Sequence, residues 1–458
     1  MLSRQTQQDV AAAVQASSLI TDYVKRHPLS AEHMQQAVTR LPGGITHDSR
    51  HIDPFNLSIA RAEGAYKWDI EGNRYVDYVT GHGSLILGHN HPEVIEAVQN
   101  QLQLGTHLGG NSALELEWAD RVCEIVPGAE RVRFTSSGTE AVMLAIRLAR
   151  NFTGRTHLIQ FETHFHGWSD SAFGGQGSPG LPIALQSLAT VVPCGDYEQI
   201  EERLTDETVA AVIIETSHPS FFTLEDPGAY LRFLREATEK ASTLLIVDEV
   251  VSGFRWAPGG AQEFYGTHGD ITSLAKILSG GLPCGAVAGR GDIIDTLSFD
   301  ANARGGRAKI VHPGTFNANP LSASAGIACM DIVAKPETQQ RATASASAIR
   351  TGMNAALRDA QAPGCVYGAA SMFRIALGGE HLPAAEDMTG PIEGAPAGRE
   401  ATSGALATAL NVGMMLEGVA LFNSRGITSI AHSQEDIDLT VNAFAKTLAL
   451  MQAESILT

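Results

Sequence analysis

Between about residue 80 and residue 330, short apolar runs alternate with longer segments of helical spacing, and each run stops at a turn or a polar group. The clearest runs are "RVRFT" (131–135), "HLIQF" (157–161), "VAAVIIE" (209–215) and "TLLIVDEV" (243–250). Runs of that kind separated by helices fold as a mostly parallel sheet between helical layers. The same constraint says where chemistry belongs, because open sheets of this class bind ligands beyond the carboxyl ends of their strands.

The flanks read differently. Residues 1–40 are polar and helix-prone until "LPGGI" (41–45) interrupts them. "AYKWDIEGNRYVDYV" (65–79) alternates around "EGN", which predicts a β-hairpin or small meander. Residues 378–404 are rich in glycine, proline and acid and read as a long surface loop inside a C-terminal domain. "ALATALNVGMMLEGVAL" (405–421) reads as a helix. "EDIDLTVNAFAKTLALMQAE" (435–454) reads as a final amphipathic helix with cap signals in "HSQED". The expected organisation is an N-terminal helical and small-domain segment over 1–78, a large domain over 79–335 and a C-terminal small domain over 336–458.

Charge and cysteine content limit the partners. A net charge of −18 argues against nucleic acid or an anionic membrane as a partner. No window holds the long apolar run that a membrane span needs. The N-terminus lacks the apolar core of a secretory signal. Five scattered cysteines without a C-x-x-C pair read as reduced thiols in a cytoplasmic protein.

The residues just beyond each apolar run are chemically suggestive. After "RVRF" comes "TSSGTEAVMLAIRLAR", which sets Ser137, Gly138 and Thr139 at the start of a strong helix. A helix start offers free N–H groups and a positive dipole end, which suits a phosphate; Ser137 or Thr139 as a plain helix cap is the alternative. Asp248 and Glu215 each end an apolar run, where an acid is costly to bury unless paired. A protonated ring nitrogen would be a good partner for Asp248, and a helix cap or a salt bridge would serve as well. Lys276 is the single charge in "ITSLAKILSGGLPCGAVAG" (271–289). An apolar setting favours its neutral amine, which can attack a carbonyl and form a Schiff base; a lysine with its head in water is the alternative. "FETHFHGW" (161–168) places His164, Phe165, His166 and Trp168 together. Two histidines at i and i+2 invite a metal, but no third ligand is evident, so no metal is expected. An aromatic platform for a flat ring, or plain core packing, fits better. A phosphate cup, an aromatic face, an acid for a ring nitrogen and a Schiff-base lysine together form the set that holds pyridoxal phosphate.

From about residue 40 to 445 the sequence resembles the class III pyridoxal-phosphate aminotransferases of fold type I. The resemblance rests on "RFTSSGTEAVMLAIRLAR", "FETHFHGW", "LLIVDEVVSGFR", "TSLAKILSGGLPCGAVAGR" and "HPGTFNANPLSASAG", in that order. Within the class it is most similar to the glutamate semialdehyde aminomutase branch, which includes aminotransferases of aromatic β-amino acids and of D-phenylglycine. "GHGSLILGHNHP" and "MMLEGVALFNSRG" resemble the D-phenylglycine type. The resemblance implies an α/β fold: a large domain with a mostly parallel seven-stranded sheet between helices, and a smaller α+β domain from the N- and C-terminal segments. It implies that Lys276 carries pyridoxal 5′-phosphate and shuttles the proton, and that Asp248 pairs with the pyridine nitrogen. Phe165, where the family often has tyrosine, would stack on the ring. Ser137, Gly138 and Thr139 would hold the phosphate, with His166 and Glu215 also near the cofactor. Thr315 would reach the phosphate of the neighbouring subunit's cofactor, making a homodimer with shared active sites. Arg50 falls where that branch has a substrate-carboxylate arginine; Arg425 is a second carboxylate candidate, and His82 and Trp168 are candidate pocket walls.

One departure is Thr216, in "ETSHPS", where the family usually has proline after the glutamate. The implied activity is an aminotransferase passing an amine from a carboxylate-bearing donor to a keto acid or aldehyde. An aminomutase is the first alternative, with the Gly-rich "FGGQGSPGLP" (173–182) as a lid. A non-catalytic cofactor-binding protein is the second.

Overall fold

The computed structural model describes residues 4–173, 178–378, 402 and 404–457. The chain divides into two compact units, one of residues 83–85 and 92–339, the other of residues 1–82, 86–91 and 340–458.

The first unit is built on seven strands: β1 (Arg131–Thr135), β2 (His157–Phe161), β3 (Ala189–Val192), β4 (Val209–Glu215), β5 (Leu244–Asp248), β6 (Ile271–Ala275) and β7 (Gly285–Gly289). Their order across the sheet is β1-β7-β6-β5-β4-β2-β3. Only β7 runs against its neighbours, pairing antiparallel with both β1 and β6. The other six therefore point one way and deliver their carboxyl ends to one rim. Every residue of β4 to β7 is buried, as expected of strands covered on both faces. The four runs singled out in the sequence are β1, β2, β4 and β5.

Helix Gly138–Thr153 shows how one face is closed. Ala141, Val142, Leu144, Ala145, Ile146, Leu148 and Ala149 are buried against Leu158, Ile213, Ile246 and Val287 of the sheet. Ser137 opens this helix in extended backbone (φ −159), and Gly154 closes it at φ 70, a left-handed position suited to glycine.

The second unit is α+β and draws on both ends of the chain. Strands Ile59–Glu63, Tyr66–Asp69 and Arg74–Asp77 form an antiparallel meander, which Val419–Ala420 extends in parallel. A separate sheet joins Gly364–Tyr367, Met372–Leu377 and Arg425–Ile427. Helices Arg4–Ala16, Ser18–Arg26, Gly404–Leu416 and Gln434–Ala453 pack on this framework around Tyr23, Tyr78, Phe373, Leu410 and Phe444. The helix expected over 405–421 stops at Leu416. Gly418 turns left-handed at φ 83, and pairing of Val419–Ala420 with Val76–Asp77 takes the chain into a strand. The final helix begins on a Ser433–Asp436 capping box. The loop expected over 378–404 lies almost wholly outside the described residues. Among the described residues, no helix is long and apolar enough to cross a membrane.

Candidate active site

The register of the sheet aligns three rim positions in one row. Glu215 at the end of β4 lies opposite Asp248 at the end of β5, and Asp248 lies opposite Ser273 of β6. Ala275 closes β6 and Lys276 follows it. Ser137 follows β1, and Phe165 and His166 follow β2.

Three glycine positions show that these exits touch. A Cβ on Gly138 would lie 3.0 Å from Val250 Cγ1 and 3.3 Å from Ala275 Cβ, so the helix start backs onto the exits of β5 and β6. A Cβ on Gly167 would lie 2.7 Å from Thr139 Oγ1, so the loop after β2 closes on the same helix start. A Cβ on Gly285 would run into the Ser137 carbonyl, which fixes β7 close beneath. Gly167 also sits at φ 84. Gly167→Ala is expected to cost about 2–4 kcal/mol, combining a left-handed Cβ with the overlap. A thermal melt and a cofactor-retention assay check this, and wild-type behaviour in both would show that the loop does not need to close here.

At the helix start, Ser137 Oγ accepts the Glu140 N–H at 3.2 Å, so this hydroxyl does cap the helix. The Ser136 N–H donates to Glu140 Oε2 at 2.7 Å. The amides of Gly138 and Thr139 belong to the first turn, where no carbonyl lies one turn back to accept them. A small anion fits there.

Asp248 is buried together with His166. His166 Nδ1 lies 2.7 Å from Asp248 Oδ2, with side chains 1% and 3% exposed. Oδ1 accepts the Val250 N–H at 3.0 Å. Facing a carboxylate, Nδ1 carries the ring proton. His166 Nε2 is buried with no hydrogen-bond partner among the described residues. Each carboxylate oxygen thus holds one donor from the chain and keeps capacity for another.

Glu215 secures the β2 exit. Its Oε2 accepts the Phe165 N–H at 3.0 Å, and its Oε1 accepts the Ser217 hydroxyl at 2.9 Å. The Glu215 N–H in turn donates to His164 Nδ1 at 3.1 Å, and His164 Nε2 faces Ser220 Oγ at 3.0 Å. His164 and His166 thus serve different partners. Among the described residues no cluster of three or more His, Cys, Asp or Glu could hold a metal ion. The Phe165 ring, 44% exposed, and Trp168, 77% exposed, leave flat apolar surface at the rim.

Lys276 is half-buried and takes φ 53, a left-handed conformation that costs a non-glycine residue about 1–3 kcal/mol. Thr315 is exposed on the segment before helix Pro320–Val333, and its carbonyl accepts His107 Nε2 at 2.6 Å.

The other three substrate candidates lie in the second unit, in one neighbourhood. The His82 ring stacks on His47 at 4.8 Å and meets Phe422 edge-on at 5.1 Å. The Arg425 guanidinium lies 4.2 Å over the Phe422 ring. Asn423 Nδ2 donates to the Ser49 carbonyl at 3.3 Å, tying in the segment of Arg50, which donates to Thr46 Oγ1 at 2.9 Å. Sequence reading did not single out His47, Phe422, Val250 or Gly167. For Gly167 a signal existed, since it directly follows the "HFH" group.

Comparison with known proteins shows the family and the fold. The profile of the family Aminotransferase class-III matches residues 48–448. A glutamate-1-semialdehyde 2,1-aminomutase of Methanothrix thermoacetophila is 38% identical over 354 residues, 75% of this chain and 81% of that protein. An omega-transaminase of Sphaerobacter thermophilus superimposes with a TM-score of 0.83 at 30% identity, covering 94% of this chain and 99% of the other. A β-phenylalanine aminotransferase of Variovorax paradoxus gives 0.81 at 27% identity, with 98% of both chains covered.

Proposed function

The chain belongs to the class-III aminotransferases, and from that premise we propose that it moves an amino group from a carboxylate-bearing donor to a keto acid or aldehyde, with pyridoxal 5′-phosphate as cofactor. The observation that carries this reading is the joining of the β1, β2, β5 and β6 exits at one rim, through Gly138, Gly167 and the His166–Asp248 bond. When bound, the cofactor supplies an aldehyde that links to amines and a ring that withdraws electrons from the carbon bearing them. The residues present fit that group: a helix start free of Cβ bulk, a buried acid with capacity for one more donor, and an exposed flat ring.

Each residue then has a task. The Gly138 and Thr139 amides, with Ser137 and Thr139 hydroxyls nearby, hold the phosphate. Asp248 would pair with the ring nitrogen, and His166 orients Asp248 through its Nδ1. Phe165 supports one face of the ring. Glu215 acts at one remove by fastening the Phe165 amide. Lys276 Nζ would hold the cofactor and would move a proton at the substrate carbon. Arg50 and Arg425 are the candidates for the substrate carboxylate, and His82 and Trp168 are further candidates for substrate contact.

The working enzyme is a homodimer in this reading. Thr315 is exposed beside Val311 and Phe316, which are 72% and 60% exposed. Exposed apolar side chains here would be available to a second copy. A second copy placed there would receive Thr315 at its cofactor phosphate. Five free cysteines fit a cytoplasmic setting.

The aminomutase reading is favoured by one specific observation, the names of the curated relatives. The two reactions separate in one assay. An aminotransferase bleaches the visible band of the bound cofactor on adding donor alone and recovers it on adding a keto acid. Steady turnover of glutamate semialdehyde with no acceptor present would replace this proposal by the aminomutase.

A further inference from the structure

Side chains alternate along a strand, so the residues after Glu215 and Asp248 turn to the opposite side of the sheet exits. These residues are Thr216 and Glu249. That side is dry: Thr216 and Ser252 are 0% exposed and Glu249 is 1% exposed. Thr216 Oγ1 lies 2.8 Å from Ser252 Oγ. Ser252 Oγ donates to Glu249 Oε2 at 2.5 Å. The carboxylate then accepts the Ala261 N–H on Oε2 at 3.1 Å and the Gln262 N–H on Oε1 at 2.8 Å, at the start of helix Gly260–Tyr265.

Proton counting gives this chain a direction. Ser252 owns one hydroxyl proton and gives it to Glu249, so it accepts from Thr216. Burial pushes the Glu249 acid up, while the bonds from Ser252, Gln262 and Ala261 hold it down. Removing a donor from so dry a site leaves an acceptor unsatisfied, which costs more than the bond itself contributes. The proline expected at 216 from the family resemblance has no hydroxyl to give.

We propose that Thr216 is a positioning residue for the cofactor acid: through Ser252 and Glu249 its hydroxyl locks the exit of β5 to the exit of β4, and so holds Asp248 and Val250 against the helix start at Gly138. Glu249 directly follows Asp248, and Val250 supplies both the amide on Asp248 Oδ1 and the side chain behind Gly138. Any shift of the Glu249 carboxylate is transmitted to both. This inference rests on the reading of Asp248 as the partner of the cofactor's ring nitrogen.

The test compares T216V, T216S and S252A with the wild-type holoenzyme. Three quantities are read: the rate at which the visible cofactor band is lost on dilution, the pH midpoint of that band, and the melting temperature. T216V is expected to lose cofactor about tenfold faster, the size of one buried hydrogen bond, with a shifted pH midpoint. T216S is expected to stay within about twofold of wild type on the same scale, and S252A to move in the same direction as T216V. Wild-type retention and midpoint in T216V overturn the proposal, whatever its melting temperature. So does a T216S as impaired as T216V, because the hydroxyl would then not be the active feature. Should T216V not fold, wild-type retention and midpoint in S252A decide against the lock. A wild type with no visible band at all would instead overturn the cofactor reading.

Discussion

Lys276→Ala is expected to lower turnover by at least about a thousandfold, since a positioned acid–base group alone accounts for about 10²–10⁴ and the covalent tether is lost as well. The fold should survive. Lys276 is half-buried at the end of β6, and its left-handed backbone burdens alanine as it burdens lysine, because both carry a Cβ. The purified variant should melt within a few degrees of wild type, lack the lysine-linked visible band and show no bleaching by donor. More than a few per cent residual turnover would remove Lys276 from the mechanism.

Asp248→Asn comes next in size. The amide keeps the shape of the carboxylate and loses its charge. Asp248 accepts from His166 Nδ1 on one oxygen and from the Val250 N–H on the other. An asparagine can accept at only one of those places and must set its NH₂ against a donor at the other. Removing one partner of a buried charged pair costs about 3–5 kcal/mol, which corresponds to about 10²–10⁴-fold in rate. Single-turnover bleaching by a saturating donor measures this directly. A variant within about tenfold of wild type would mean that the ring nitrogen is served by another group.

Some of this was written in the local sequence. "RVRFT", "HLIQF", "VAAVIIE" and "TLLIVDEV" announce strands because apolar runs between helices have few other uses. Ser137, Asp248 and Lys276 stood out as candidates because ligands gather at strand ends. Direction could not be read in the same way. "GAVAG" is apolar whichever way it runs, and its antiparallel course as β7 is decided by pairing with β1 and β6. Long-range partners were equally hidden. His164 and His166 stand two apart, yet one meets Glu215 and Ser220 and the other meets Asp248. Thr216 was legible as a departure, but its hydroxyl gains meaning only beside Ser252, 36 residues on.

The place of β7 in the sheet has a temporal consequence. β1 is the earliest of the seven strands to leave the ribosome, and its partner in the sheet is β7, the last. Until residue 289 has emerged, β1 has no strand beside it, and the helix start at Ser137 is held near Lys276 and Asp248 only by packing on the faces and exits of the other strands. The nascent chain can gather β2 to β6 side by side and still lack a place for phosphate. Pairing over such a separation is slow to find. A chain cut short before Gly285 would carry every rim residue in the row yet leave β1, which leads into the helix start, without a partner in the sheet.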